Sequence, residues 1–169
     1  MKSFHQLLSH QYHHARNKEQ RIHNYLQHLE RVKHISLTIV QVDGEGCVVV
    51  ADIEQDLQAH AHNTALITIM HSNNEVGSLQ PVREIGTIIR RFNSAHRGAH
   101  QVLFHSDAAQ SLGKVAVDVS QLGVDLLTIV GHKLGAPKGI AALYIKQEIL
   151  RRPVSAHHKF APLQPMLHG

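Results

Sequence analysis

Residues 104–133 read FHSDAAQSLGKVAVDVSQLGVDLLTIVGHK, and this stretch decides the fold. Two apolar runs, 102–104 and Leu126–Val130, have the composition of buried parallel strands. An acid, Asp107, follows the first run, and an amine, Lys133, follows the second. Because ligands of parallel α/β sheets bind at the carboxyl ends of strands, we expect both side chains to lie over one crevice.

A carboxylate and an amine in one crevice favour a site for a cofactor that is held as a Schiff base. Pyridoxal phosphate needs a lysine for its aldehyde and an acid that keeps its pyridine nitrogen protonated, and Lys133 and Asp107 match these roles. A reactive lysine must lose its proton, so we expect Lys133 to be buried behind the apolar run, next to His132. From spacing alone, a turn-forming aspartate and a surface lysine remain the alternative.

Strand and helix patterns alternate through the middle of the chain, which predicts an α/β fold with a mostly parallel sheet and flanking helices. Residues 65–70 form an apolar, β-branched run that carries Asn74 and Glu75 to the same rim as Asp107. After Pro81, apolar residues recur at helical spacing, and residues 140–145 read as a last strand. The helical stripe consists of Val82, Ile85, Ile88, Ile89 and Phe92.

The patterns before residue 60 are weaker. Residues 11–32 have helical periodicity, and alternation from residue 35 to residue 41 indicates a strand. Residues 43–46, DGEG, predict a turn, and residues 47–50 a short strand. Asp52 and Gln55 have the spacing of a capping box for a helix that ends near residue 59.

Composition limits the classes of function. With 43% apolar and 18% charged residues in 169, the chain can bury a core, and it has no apolar run of the ~18 residues that cross a membrane. The net charge of +4 comes from scattered lysines and arginines, which does not favour nucleic-acid binding. Cys47 is the single cysteine, so a reducing compartment is compatible. The histidine clusters, His10, His13, His14, His157 and His158, lack partner ligands, and we predict no metal site.

Four segments resemble the cofactor-binding core of the NifS-like cysteine desulfurases and selenocysteine lyases, which are fold type I pyridoxal phosphate enzymes. They are ALITIMHSNNEVGSLQPVREIG (65–86), HSDAAQSLGKVAVDV (105–119), LGVDLLTIVGHK (122–133) and GAPKGIAALYI (135–145). The similarity runs from about residue 37 to residue 169. It implies that residues 35–169 are part of the large, cofactor-binding domain, without the C-terminal small domain, and that residues 1–34 are an N-terminal helical segment.

The resemblance also implies the roles of individual residues. Lys133 would carry pyridoxal phosphate, Asp107 would pair with its pyridine nitrogen, and Gln110 would hydrogen-bond its phenolic oxygen. Asn74 would reach the same edge of the ring, and His132 would lie by the phosphate. The chain departs from the family at Val130, where many members have a phosphate-binding serine, and at residues 134–137, which replace an aromatic residue and Tyr-Gly-Pro.

The wording TIVGHK and the long segment 90–104 resemble the selenocysteine lyase branch. We therefore expect a lyase that converts selenocysteine to alanine and reduced selenium, with cysteine desulfurase as the alternative. The family's catalytic cysteine, substrate-binding arginine and phosphate loop have no counterpart in these residues, so an inactive fragment that binds cofactor or dimerises is the other alternative. The family implies a homodimer in the cytosol, and mitochondria are a second possibility because no acid precedes Glu19.

Overall fold

The computed structural model describes residues 4–9, 27–28, 30–32, 35–96 and 101–150. Within these residues six strands and four helices have defined bounds, with a 3-10 turn at Gly131–Lys133. In chain order the elements are β1 (Phe4–Ser9), β2 (Ile35–Val40), α1 (Val50–Ala59), β3 (Thr64–Met70), α2 (Val82–Ala95), β4 (Leu103–Asp107), α3 (Val119–Leu122), β5 (Leu126–Val130), β6 (Ala141–Ile145) and α4 (Gln147–Leu150).

The six strands form one sheet in the order β2-β1-β3-β4-β5-β6. The first five strands are parallel, and β6 pairs with β5 in the antiparallel direction. The predicted fold class, a mostly parallel sheet with flanking helices, is confirmed. The two runs that the sequence assigned to neighbouring strands correspond to β4, which starts one residue later and extends to Asp107, and to β5.

The hydrophobic core lies between one face of the sheet and the helices α1 and α2. Side chains alternate across a strand, so Ile67 and Ile69 of β3 share this face with Phe104 of β4. The helices contribute the apolar stripe of α2 and two residues of α1. The fully buried members include Ile53, Leu57, Ile67, Ile69, Ile85 and Phe104. The opposite face of β3, β4 and β5 carries mainly half-buried side chains, so the core is built from one side of the sheet.

Hydrogen bonds from side chains connect the helices to the strands that follow them. Asn93, in the last turn of α2, donates to the Val102 carbonyl and accepts from its N–H, both at 2.9 Å. Asp118 caps α3, and its bonds to the Ser120 side chain and backbone lower the pKa of the Asp118 carboxyl. Asp125 then accepts from the Phe104 N–H through Oδ2, at 3.0 Å. These contacts hold the backbone at the start of β4 and directly before β5.

The sequence-based assignment of residues 1–34 to a helical segment needs a correction. Phe4–Ser9 forms β1, which lies inside the sheet and pairs with both β2 and β3. Only three of its six residues are apolar and they do not alternate, so the pattern does not indicate a strand. The predicted helix 11–32 lies mostly outside the described residues, although residues 27–28 and 30–31 are helical.

Two predictions between residues 47 and 55 are wrong. Residues 47–49 do not form a strand, because the Asp43 side chain accepts from the Cys47 N–H at 2.9 Å and bends the chain back. Helix α1 begins at Val50 after Val49, without any side-chain cap, so Asp52 lies inside its first turn and not before it. The predicted turn at residues 43–46 and the predicted end of the helix at residue 59 agree with the structure.

Gly86 offers a test of how α2 packs against α3. A Cβ atom at residue 86 would lie 2.2 Å from the Leu122 carbonyl oxygen, which is backbone and cannot rotate away. We expect Gly86→Ala to lower the free energy of unfolding by about 1–3 kcal/mol through overpacking, although alanine is the better helix former. Urea denaturation measures this change. Gly44→Ala, in a turn with nothing within 4 Å, is the matched control, and an equal effect of both changes would contradict the packing.

Candidate active site

The carboxyl ends of β3, β4 and β5 meet at one edge of the sheet. In the strand register, Asp107 pairs with Met70 on one side and with Thr128 on the other. The His71 N–H donates to the Asp107 carbonyl at 2.8 Å, and the Ala108 N–H donates to the Thr128 carbonyl at 3.0 Å. The backbone of Asp107 is therefore held from both sides, and the loops after all three strands leave from this edge.

Asp107 is the half-buried last residue of β4. Its Oδ1 accepts from the Ala109 N–H at 2.8 Å, which orients the carboxylate along the start of the next turn. Within the part of the chain that the structure describes, Oδ2 has no hydrogen-bond partner. One oxygen thus fixes the side chain and the other is left to accept a proton donor.

Lys133 ends the 3-10 turn that follows β5. This turn depends on Gly131, whose N–H donates to the Ile140 carbonyl at 2.9 Å and whose carbonyl accepts from Leu134 and Ala136. A Cβ atom at residue 131 would lie 3.0 Å from the Ile140 carbonyl oxygen, so a larger residue would displace the backbone directly before β6. The side chains of His132 and Lys133 are both exposed. The expected burial of Lys133 is wrong for this chain, because the loop after the turn does not fold over it.

The two asparagines of the SNNEVG loop have different surroundings. Asn73 is 3% exposed, and its Oδ1 accepts from the N–H groups of Glu75 and Val76, both at 2.8 Å. Asn74 is exposed. Asn73 therefore shapes the loop, whereas the side chain of Asn74 is accessible, and its contact with a cofactor stays a prediction.

Gln80 is a structural residue of the site that the sequence analysis missed. Its buried side chain accepts from the Val48 N–H at 2.9 Å and donates to the Gly46 carbonyl at 2.8 Å. The Gln80 amide nitrogen also donates to the Ser78 hydroxyl oxygen at 3.3 Å. Gln80 thus joins the loop after β3 to the turn before α1, 32 residues earlier, and no local pattern reports such a long-range contact.

An open groove of about 440 Å³ runs between the loops that follow β3 and β4. Asn74 and Gln110 both line it, so the structure brings these two predicted residues together. Lys114 Nζ donates to Gln110 Oε1 at 3.3 Å, which leaves the Gln110 amide nitrogen as a free donor. Asp107, His132 and Lys133 do not line this groove, although their strands end at the same edge.

Two histidines near Asp107 were also missed. His71, 7% exposed, follows β3 directly, and its Nδ1 has no partner among the described residues. Its burial lowers the pKa of the His71 imidazole. His105 precedes Asp107 by two residues in β4 and contacts threonines on both neighbouring strands. Strand alternation alone places His105 on the same face as Asp107, and this signal was available in the sequence.

Val130 is the last residue of β5 and offers no hydroxyl. Two residues earlier, the Thr128 hydroxyl lies 2.9 Å from His105 Nε2 and is already hydrogen-bonded. The predicted loss of a phosphate contact at Val130 is therefore not replaced from Thr128. In residues 35–96 and 101–150 no three His, Cys, Asp or Glu side chains come close enough for a metal ion, and no helix there is both long and apolar enough to cross a membrane.

The chain is similar to known proteins over most of its length. The family described as aminotransferase class-V matches residues 9–157. The chain is 43% identical to the mitochondrial cysteine desulfurase of Eremothecium gossypii over 79% of this chain and 23% of that protein. It is 37% identical to the cysteine desulfurase IscS of Dictyoglomus turgidum, over 79% of this chain and 28% of that protein. The solved structure of SspA in complex with cysteine superposes with a TM-score of 0.76 and 30% identity, over 100% of this chain and 41% of that one. The chain thus spans about a quarter of the length of the desulfurases it matches.

The contrast between Asn73 and Asn74 gives a prediction on stability. We expect Asn73→Ala to lower the free energy of unfolding by about 1–3 kcal/mol, because it leaves two backbone N–H groups without an acceptor. Asn74→Ala, one residue away and exposed, is the matched control and should change stability by less than about 0.5 kcal/mol. Urea denaturation of both variants measures the difference. Similar losses in the two variants would show that Asn73 does not shape the loop.

Proposed function

Since the chain belongs to the aminotransferase class-V family, whose similar members here are cysteine desulfurases, we propose that it is the cofactor-binding part of a pyridoxal phosphate enzyme that removes sulfur from cysteine. One structural observation carries this proposal. An acid and an amine, Asp107 and Lys133, leave neighbouring parallel strands at one edge of the sheet. Asp107 is fixed there by its backbone and by Oδ1, and Oδ2 remains open.

The side chains at this edge match the ring and the aldehyde of pyridoxal phosphate in kind, although Asp107 and Lys133 lie outside the groove that Asn74 and Gln110 line. A pyridine nitrogen that carries a proton needs an acceptor, which Asp107 Oδ2 supplies. A phenolic oxygen needs donors, and the amide nitrogens of Asn74 and Gln110 face one groove. An aldehyde needs an accessible amine, and Lys133 is exposed.

We assign each residue a role in the proposed reaction. When bound, pyridoxal phosphate withdraws electrons from the bonds at the α-carbon of an amino acid. Asp107 would keep the pyridine nitrogen protonated, Asn74 and Gln110 would orient the ring, and His132 would contact the phosphate. Lys133 would hold the cofactor, and its Nζ would be the group that accepts and returns the proton of the substrate α-carbon. The proposed overall reaction converts cysteine and an acceptor thiol to alanine and a persulfide.

Cys47 does not suit the role of acceptor thiol. Burial raises the pKa of the Cys47 thiol, and the charges of Asp43 and Glu45 raise it further. The Cys47 thiol donates a weak hydrogen bond to the Leu79 carbonyl oxygen, with 3.6 Å between sulfur and oxygen. A thiol held in its protonated form is a poor nucleophile. We therefore propose that the sulfur acceptor is a thiol other than Cys47.

Selenocysteine is the second candidate substrate, because the TIVGHK wording with Val130 resembles the selenocysteine lyases. The bond from the β-carbon to selenium would then break, and with two thiols as reductant the products would be alanine, reduced selenium and a disulfide. A protein that holds the cofactor or pairs with a second copy without turnover is the non-enzymatic candidate. It is favoured by the exposed apolar side chains at the groove, Val76 at 72% and Leu79 at 52%.

We propose a homodimer as the working assembly and the cytosol as its compartment. Apolar residues at the rim of the groove are suited to contact with a second copy. The single cysteine suits a reducing compartment. The mitochondrial relative from Eremothecium gossypii supports mitochondria as the alternative.

The proposal predicts selective labelling of one lysine. After incubation with pyridoxal phosphate and reduction with borohydride, peptide mass spectrometry should find the label on Lys133, and Lys133→Ala should abolish it. Asp107→Ala should weaken capture roughly 10- to 100-fold, the effect of losing a hydrogen bond to a charged group worth ~1.5–3 kcal/mol. Lys138→Ala, an exposed lysine of the same loop, is the control and should leave labelling of Lys133 unchanged. Equal labelling of all lysines would refute the assignment.

Release of alanine distinguishes an enzyme from a binding protein. With cysteine or selenocysteine and added thiol, the chain should release alanine at a rate that Lys133→Ala reduces to background. Cys47→Ser should keep the rate, because Cys47 is not the acceptor. Free pyridoxal phosphate sets the background ratio of alanine release from selenocysteine to alanine release from cysteine. A larger ratio in the presence of the chain would assign the lyase branch. If neither substrate gives alanine at any protein concentration, the non-enzymatic candidate stands.

A further inference from the structure

His105 connects three strands through its ring. Its Nδ1 lies 2.6 Å from the Thr68 hydroxyl on β3, and its Nε2 lies 2.9 Å from the Thr128 hydroxyl on β5. Both ring nitrogens are thus hydrogen-bonded, and a polar row of Thr68, His105 and Thr128 crosses the half-buried face of the sheet. Side-chain networks of this kind hold their members rigidly when each polar group has a partner.

His105 lies two residues before Asp107 in β4, farther from the edge of the sheet. His105 and Asp107 share one face of β4, and two residues of a strand span about 6.6 Å at ~3.3 Å per residue. The neighbouring strands present uncharged side chains on this face, namely Leu66, Thr68 and Met70 from β3 and Leu126, Thr128 and Val130 from β5. Among the described residues, Asp107 is therefore the charged group that faces His105.

We propose that His105 is a positioning residue for Asp107, and that the row of Thr68, His105 and Thr128 fixes the carboxylate in place and in charge. This inference rests on the proposed role of Asp107 toward the pyridine nitrogen. The hydroxyls of Thr68 and Thr128 hold His105 from both flanking strands and so fix the position of β4 between them. The orientation of Asp107, two residues later, depends on these contacts and on its own backbone hydrogen bonds. Site residues must be held this closely by their supporting shell if their geometry is to be productive.

The charge of the row matters as much as its geometry. Burial lowers the pKa of the His105 imidazole, and Asp107 acts against this by raising it. Above its pKa the ring is uncharged and cannot neutralise Asp107, so the carboxylate keeps its full charge for a partner at the edge. Protonation of His105 would place a cation beside Asp107 and compete with that partner. Removal of the Asp107 charge should therefore be visible in the titration of His105.

The test is the titration of His105 by nitrogen-15 NMR of the whole chain, without cofactor or substrate. The His105 signal is assigned by its loss in His105→Gln. We expect Asp107→Asn to move the His105 titration to lower pH, because the negative charge that favours the imidazolium is removed. Asp52→Asn, an exposed acid of α1, is the matched control and should leave the titration unchanged. An unchanged titration in Asp107→Asn, or equal shifts in both variants, would overturn the proposal.

A second measurement covers the case in which Asp107→Asn does not fold. Thr128→Ser keeps the hydroxyl and should preserve the His105 Nε2 resonance, whereas Thr128→Val should shift it. Borohydride labelling of Lys133 should fall several-fold in His105→Leu and remain near the original level in His105→Gln, which restores an uncharged hydrogen-bonding group. Labelling that is unchanged in His105→Leu overturns the positioning role.

These outcomes are separable from the proposed function. The NMR titration requires neither cofactor nor turnover, so failure to release alanine does not affect it. Conversely, an unchanged titration overturns the role of His105 even where alanine is released.

Discussion

Two backbone hydrogen bonds, from the His71 N–H to the Asp107 carbonyl and from the Ala108 N–H to the Thr128 carbonyl, hold the centre of the structure. They continue the parallel ladder to the last residue of β4, so Asp107 remains part of the sheet although its side chain belongs to the site. Backbone groups buried in a sheet must be paired, which makes this register costly to change. The loops that carry Asn74, Gln110 and Lys133 all start from this edge of the sheet.

The motifs of the chain divide into residues that shape a loop and exposed residues that we propose to be ligand-facing. In SNNEVG, Asn73 is buried in backbone contacts and Asn74 is exposed. In GHK, Gly131 permits the close approach of the Ile140 oxygen, and Lys133 points outward. Each ligand-facing residue thus depends on a neighbour with no chemistry of its own. The same division applies in β4, where His105 contacts the flanking strands and Asp107 reaches the edge.

Periodicity predicted the elements whose burial is local. The stripe of α2 is buried except for Ile88, which is half-buried, and β5 is fully buried at Leu126 and Leu127 and half-buried from Thr128 to Val130. The failures all involve distant partners. β1 has a weak pattern of its own and is stabilised by two flanking strands. The bend at Cys47 depends on Asp43, and Val48 donates to Gln80, 32 residues away. The exposure of Lys133 depends on which elements cover the edge, and its own sequence window contains no information on that.

The resemblance predicts site residues that lie at or just after the ends of neighbouring strands, and affinity for a phosphate would depend on what surrounds them. Val130 supplies no donor, and the nearest hydroxyl on β5 is bonded to His105. The loop from residue 131 to residue 138 instead offers two exposed cations, Lys133 and Lys138, and the exposed imidazole of His132. In water, attraction between such charges and a dianion is screened within about 10 Å and contributes little. The same charges act far more strongly once water is excluded. Affinity for the proposed cofactor would therefore depend on what covers the edge of the sheet more than on the residues proposed to contact the ring.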